Sequence, residues 1–222
     1  MAELPKTIPL LSSNAIISYD WTDIASGLGY VDFYCFSAVD NTTEEYLISD
    51  NSRIYSHSKW TEDTNNDTSA TLLNTYTFTS SPFTTPQDAE GTMYINITNY
   101  SQSDQYQGRC YCIVSVYHYD GTTETLLGNS CTTDTTISGG ANEFDNKVNC
   151  LNCEVSATKF KIGDMLRAKV AVYGWSSGGT EDLKKGFGLD PMGRLDTDEY
   201  INTDDGGDTS IFRISMPFKQ RL

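Results

Sequence analysis

Two histidines, six prolines and only 15 lysines and arginines stand among 222 residues, and each shortage excludes something. The histidines, His57 and His118, have no Ser or Cys beside them in a nucleophile motif, so both read as structural or solvent-facing side chains. The glycine-rich loops G-x-G-x-x-G and G-x-x-x-x-G-K-[ST], which cradle phosphates, are absent. Nothing singles out a pair of carboxylates of the kind glycosidases use. The expectation is a protein that is not an enzyme. Basic residues are outnumbered by 30 Asp and Glu, for a net charge of −15. Such a surface repels phosphate backbones and anionic headgroups, which excludes nucleic acid and membrane as partners. No run approaches the ~20 apolar residues of a membrane helix. The opening "MAELPKTIPLLSSNAIIS" has neither the basic region nor the apolar core of a signal peptide, so synthesis in the cytoplasm without an export signal is expected.

Helix signals are equally scarce. Only "DWTDIASG" (20–27) reads as helical, with Asp20 as N-cap and Gly27 as terminator. What the chain has instead is period-2 alternation. "RCYCIVSVYHY" (109–119) sets Cys110, Cys112, Val114 and Val116 on one side and Tyr111, Ile113 and Tyr117 on the other. "MLRAKVAVYGW" (165–175) alternates Leu166, Ala168, Val170 and Val172 against Arg167 and Lys169, and "SIFRISMPF" (210–218) gives Phe212, Ile214, Met216 and Phe218 one face. "YVDFYCFSAV" (30–39) and "TMYINIT" (92–98) follow the same rule, with weaker strands at 45–49, 53–58 and 74–79. Gly-Gly, Asp-Gly and Gly-Asp turns separate them. The predicted class is all-β, an antiparallel, jelly-roll-like sandwich over residues 15–222, with residues 1–14 as an extended arm. With 14 Tyr and 9 Phe there is ample material for a core.

Six cysteines admit three readings. The Asp120-Gly121 turn, taken as a two-residue hairpin loop, places Cys110 opposite Cys131 and predicts a cross-strand disulfide. Cys150 and Cys153 have the C-x-x-C spacing of a zinc knuckle, and Cys112 with its neighbour Cys110 could complete a four-thiolate zinc site; Cys112, Cys150, Cys153 and Cys35 also remain open to a second disulfide. The third reading keeps the thiols reduced and buried as small apolar residues. Disulfides lead, and they suit a particle or cell surface better than cytosol.

The acidic stretch "RLDTDEYINTDDGGDTS" (194–210) is the candidate calcium loop, with Asp196, Asp198, Asp204, Asp205 and Asp208 as hard oxygen ligands; a solvated acidic loop is the plainer reading. Sequons occur at Asn41, Asn66, Asn96 and Asn99. Trp60, Tyr173 and Trp175 are candidates for stacking on sugars, weighed against burial in the core.

The last third of the chain runs "FKIGDMLRAKVAVYGW" (160–175), "FGLDPMGR" (187–194) and "TSIFRISMPFKQRL" (209–222). This cadence resembles that of virion structural proteins of tailed viruses infecting environmental bacteria and archaea, where a "GD.LR" turn-strand, a "DP..R" loop and a final "PFK" strand recur near the C-terminus. The resemblance implies membership in a virion, and it transfers no catalytic or binding residue. It leads to the expectation of a capsid decoration or auxiliary protein on the particle exterior, with the major capsid protein or another particle protein as partner. Pro5 and Pro9 favour extended backbone in the arm, and Leu10 and Leu11 offer an apolar anchor, so the arm is expected to clasp a neighbouring copy in a homo-oligomer such as a trimer. Two other roles stay open: a glycan-binding host-recognition or tail-associated β-sandwich, and an extracellular surface-layer or filament subunit.

Overall fold

The alternating segments become strands because each buries one side of its pleat and wets the other. In a computed structural model of the chain, residues 28–40, 43–50, 59–63, 68–103, 106–139, 143–178, 183–189 and 211–219 are described. Thirteen strands follow in order: β1 (Leu28–Asp40), β2 (Thr43–Ser49), β3 (Lys59–Asp63), β4 (Thr71–Ser80), β5 (Gln87–Ser103), β6 (Gly108–Tyr119), β7 (Glu124–Leu126), β8 (Cys131–Thr132), β9 (Thr136–Ile137), β10 (Glu143–Phe160), β11 (Met165–Ser176), β12 (Leu183–Phe187) and β13 (Phe212–Lys219). The described residues contain no helix, and the all-β class read from the sequence holds. The segment expected to be helical (20–27) and the arm (1–14) lie outside the described residues.

All thirteen strands belong to one hydrogen-bonded sheet, whose main path is β3-β12-β5-β13-β1-β2-β4-β11-β6-β7. The sheet is mixed rather than wholly antiparallel, because β2 and β4 run parallel through Leu47↔Thr79 and Ile48↔Ser80. β5 pairs with β10 on one side and with β12 and β13, end to end, on the other. The sheet curls back on itself. Although β1 and β2 separate β4 from β13 along the path, Phe78 of β4 meets Phe212 of β13 edge to face, with ring centroids 5.4 Å apart. It also meets Phe187 of β12 at 6.1 Å. Between the two arms lie Ile95, Ile97, Phe212, Ile214 and Met216 from one side, and Phe78, Val114, Leu166, Val170 and Val172 from the other, all without solvent exposure. Each large side chain sealed in this way contributes about 1.5–3 kcal/mol of transfer free energy.

Three short strands, β7, β8 and β9, share the far side of β6 and decide where the cysteines go. Here the register departs from the two-residue hairpin expected at Asp120-Gly121. Tyr119 faces Glu124, so the loop has four residues, 120–123. The cause is local: the Asp120 Oδ1 accepts the backbone N–H groups of Thr122 and Thr123 at 2.9 and 2.6 Å, an Asx-type turn that replaces the tight one. Gly128 follows in the left-handed region (φ 74°) and shifts the strand again. Cys131 therefore faces Val114, and Cys110 faces Thr136.

The expected Cys110–Cys131 bond does not form. Cys131 is bonded to Cys153 on β10, with Cα atoms 6.9 Å apart. This link joins the segment paired to β6 with the opposite end of the sheet and closes the curl. Two further ties cross the same seam. Lys147 Nζ lies 2.7 Å from Asp134 Oδ2, and Asn149 Oδ1 accepts the Asp134 backbone N–H at 2.8 Å.

Candidate functional site

The sequence candidates separate rather than converge. Cys150 and Cys153, three residues apart on one strand, point to opposite faces: Cys150 is exposed and free, while Cys153 is buried in its disulfide. That parity breaks the expected zinc knuckle. Cys35, Cys110 and Cys112 are buried and free. The hydrogen bond with Cys110, then burial, push the Cys112 thiol well above its ordinary range, and burial does the same to Cys35. These two thiols stay protonated, the wrong state for a metal ligand. Among the described residues no three His, Cys, Asp or Glu side chains form a group that could hold a metal. The acidic loop with Asp196, Asp198, Asp204, Asp205 and Asp208 lies outside the described residues, as do Asn41, Asn66, His57 and the arm residues Pro5, Pro9, Leu10 and Leu11.

Of the remaining sequons, Asn96 is half-buried on β5, whereas Asn99 is fully buried and spoken for. Its Nδ2 donates to the carbonyls of Cys110 (3.1 Å) and Asp134 (3.0 Å), and its Oδ1 accepts from Asn149 Nδ2 at 2.6 Å. Asn99 is a structural amide at the seam, and a folded chain does not offer it for glycosylation. His118 has a structural task as well. Its Nε2 lies 2.6 Å from Asp164 Oδ2, and its ring stands edge-on to Phe160 with centroids 4.7 Å apart. Asp164 also accepts the Lys161 N–H at 2.7 Å, and these contacts hold its carboxyl below the usual range, the Lys161 bond foremost. The pair pins the 161–164 turn to β6.

Sugar-stacking candidates fare differently. Tyr173 and Trp175 lie on the outward face of β11, half-buried rather than in the core. Register brings them neighbours that sequence reasoning did not assign: Tyr173 faces Tyr111, and Trp175 faces Arg109, both on β6. The tyrosine rings are stacked with centroids 5.0 Å apart and planes within 1°. Trp175 stands at 72° to Tyr111, with centroids 6.0 Å apart, so the three rings form a corner. The Arg109 guanidinium lies 5.9 Å from the centroid of the Trp175 ring. Leu72, paired with Tyr173 on β4, and Ile137, paired with Arg109 on β9, extend the apolar surface and are 49% and 43% exposed. Burial, and then the neighbouring Tyr173, raise the Tyr111 hydroxyl above its ordinary value. Trp60 belongs to β3 by its backbone, and its side chain is outside the described set.

The other end of the same face is built differently. Arg167 and Lys169 share Glu124, at 2.8 and 2.5 Å, and lie over Tyr119 and Tyr117. Hydrogen bonds from Lys169 and then Arg167 hold the Glu124 carboxyl below its ordinary range. Both cations there share that one carboxylate. Arg109 has no carboxylate partner among the described residues, and its Nε is buried without a hydrogen bond. Cross-strand aromatic pairs stabilise a sheet by about 0.2–1 kcal/mol each, which explains the tyrosine pair. The contact with Trp175 positions the Arg109 guanidinium, and no described carboxylate offsets its charge. An aromatic corner with a planar cationic fork at its edge can stack a ring and bind an acceptor at once.

No protein-family model and no curated protein matches the sequence. Solved structures that it matches include a CocE/NonD family hydrolase from Staphylococcus aureus, at 11% identity and a TM-score of 0.44, over 87% of this chain and 37% of that one. An aminopeptidase from a marine sediment Thaumarchaeota archaeon matches at 9% identity and a TM-score of 0.36, over 67% of this chain and 26% of the other. An α-amino acid ester hydrolase matches at 11% identity and 0.35, over 66% and 26%. The chain thus spans less than two fifths of each of these proteins.

Proposed function

We propose that this chain is a non-enzymatic protein of a virus particle's exterior, an auxiliary capsid or tail-associated component whose outer β6–β11 face recognises carbohydrate. The virion assignment rests on the C-terminal resemblance, whose segments supply β11 (Met165–Ser176) and β13 (Phe212–Lys219). The recognition role rests on one observation, the half-buried aromatic corner of Tyr111, Tyr173 and Trp175 beside an arginine that no described carboxylate neutralises.

Mass spectrometry of purified particles, with copy number, tests the location. Hundreds of copies identify a shell component and a handful a tail component; absence from particles refutes the virion assignment.

A further inference from the structure

Arg109 says more about the ligand than the aromatic rings do. In a chain with 30 Asp and Glu against 15 Lys and Arg, a guanidinium without a carboxylate partner among the described residues is out of keeping with its surroundings. Its Nε lies buried and unbonded, so an incoming acceptor meets the guanidinium at its terminal N–H groups. A planar guanidinium is matched by a carboxylate, which takes two parallel N–H groups. The corner is also small. Adjacent strands lie about 4.8 Å apart and alternate residues about 6.8 Å along the strand, so the Tyr111–Tyr173 and Arg109–Trp175 rows span an area for one or two pyranose rings. A protein partner needs about 800 Å² from each side, far more than these rows offer.

We propose that this corner is a subsite for an acidic pyranose, a uronic or sialic acid residue whose ring packs on Trp175 and the tyrosines while its carboxylate accepts from Arg109. The inference builds on the carbohydrate-recognition reading and sharpens it to a charged sugar.

The full-length chain is titrated, by tryptophan fluorescence and NMR, with oligosaccharides of galacturonate, glucuronate and N-acetylneuraminate, each beside its methyl ester. The ester keeps the ring and removes the charge. At least one acid should bind about tenfold or more tighter than its ester, the worth of a charge-assisted bond. Arg109→Gln should abolish that preference, and Arg109→Lys, which keeps charge without the fork, should fall between. Trp175→Ala should weaken acid and ester alike, with circular dichroism reporting an intact fold in each variant. If acids and esters bind equally, or Arg109→Gln changes neither, the acidic-sugar assignment is wrong while carbohydrate recognition stands. The acidic-sugar assignment fails in the same way if no acid binds but neutral glycans on an array do. If neither the acids nor any arrayed glycan binds, carbohydrate recognition falls as well.

Discussion

Cutting the Cys131–Cys153 link should cost this protein a measurable share of its stability, because that bond closes the seam of the curled sheet. The two cysteines are 22 residues apart in sequence. Constraining a loop of that length in the unfolded chain is worth about 3 kcal/mol in the chain-entropy picture. For a chain of this size, 1 kcal/mol moves Tm by about 2–4 °C, so Cys131→Ser/Cys153→Ser should melt about 6–12 °C below the parent. The other ties across the seam soften the loss without replacing it. Lys147 and Asp134 are 46% and 71% exposed at their side chains, so their ion pair contributes no more than about 1 kcal/mol. Calorimetry of the parent with and without reductant, beside the double variant, measures the difference. Thiol counting checks the connectivity independently. Four of the six cysteines should be free. Of these only Cys150 should react with an alkylating reagent in the native state, since Cys35, Cys110 and Cys112 are buried. Six thiols in the unreduced, denatured chain, or a mapped Cys110–Cys131 peptide, would refute the closure.

Two further perturbations probe the parts that position the outer face. Gly128→Ala should destabilise by about 2–4 kcal/mol, read as a lowered Tm: the residue sits at φ +74°, and an added Cβ would fall 2.1 Å from the Glu154 carbonyl oxygen, on backbone that cannot swing aside. Asp164→Asn should lower stability at neutral pH and flatten the acid limb of a Tm-versus-pH curve. The wild-type carboxyl is held below its unfolded value, chiefly by the Lys161 N–H. Its contribution is therefore complete above the ordinary carboxylate range and disappears as pH falls through the folded pKa.

Strands with clean alternation were legible in the sequence, and those without were not. Cys110, Cys112, Val114 and Val116 on β6, Leu166 to Val172 on β11 and Phe212 to Phe218 on β13 all face the core as their period-2 spacing requires. β10, 18 residues long, is hidden in the sequence because its apolar residues change parity: Val148 is 53% exposed, while Cys153 and Val155 are buried. The disulfide partner was illegible for a physical reason too. A hairpin register is fixed by its turn, and an aspartate accepting two backbone N–H groups enlarged the loop before a left-handed glycine shifted it again. Gly174 and Lys185 show the same limit at long range. An alanine Cβ at 174 would lie 2.2 Å from the buried Lys185 Cδ, so the glycine in "VYGW" makes room for a side chain from a distant strand. The aromatic corner was half legible: Tyr173 and Trp175 are near neighbours in sequence, but Tyr111 and Arg109 join them only through the β6–β11 register.

The most direct test of a recognising outer face is competition. Purified particles are allowed to adsorb to their host's cells in the presence of an excess of the free chain, either wild type or Trp175→Ala with an unchanged thermal transition. Wild-type chain should block adsorption and the variant should not; no block by wild type, or an equal block by both, would contradict a recognition role for the Tyr111–Tyr173–Trp175 face.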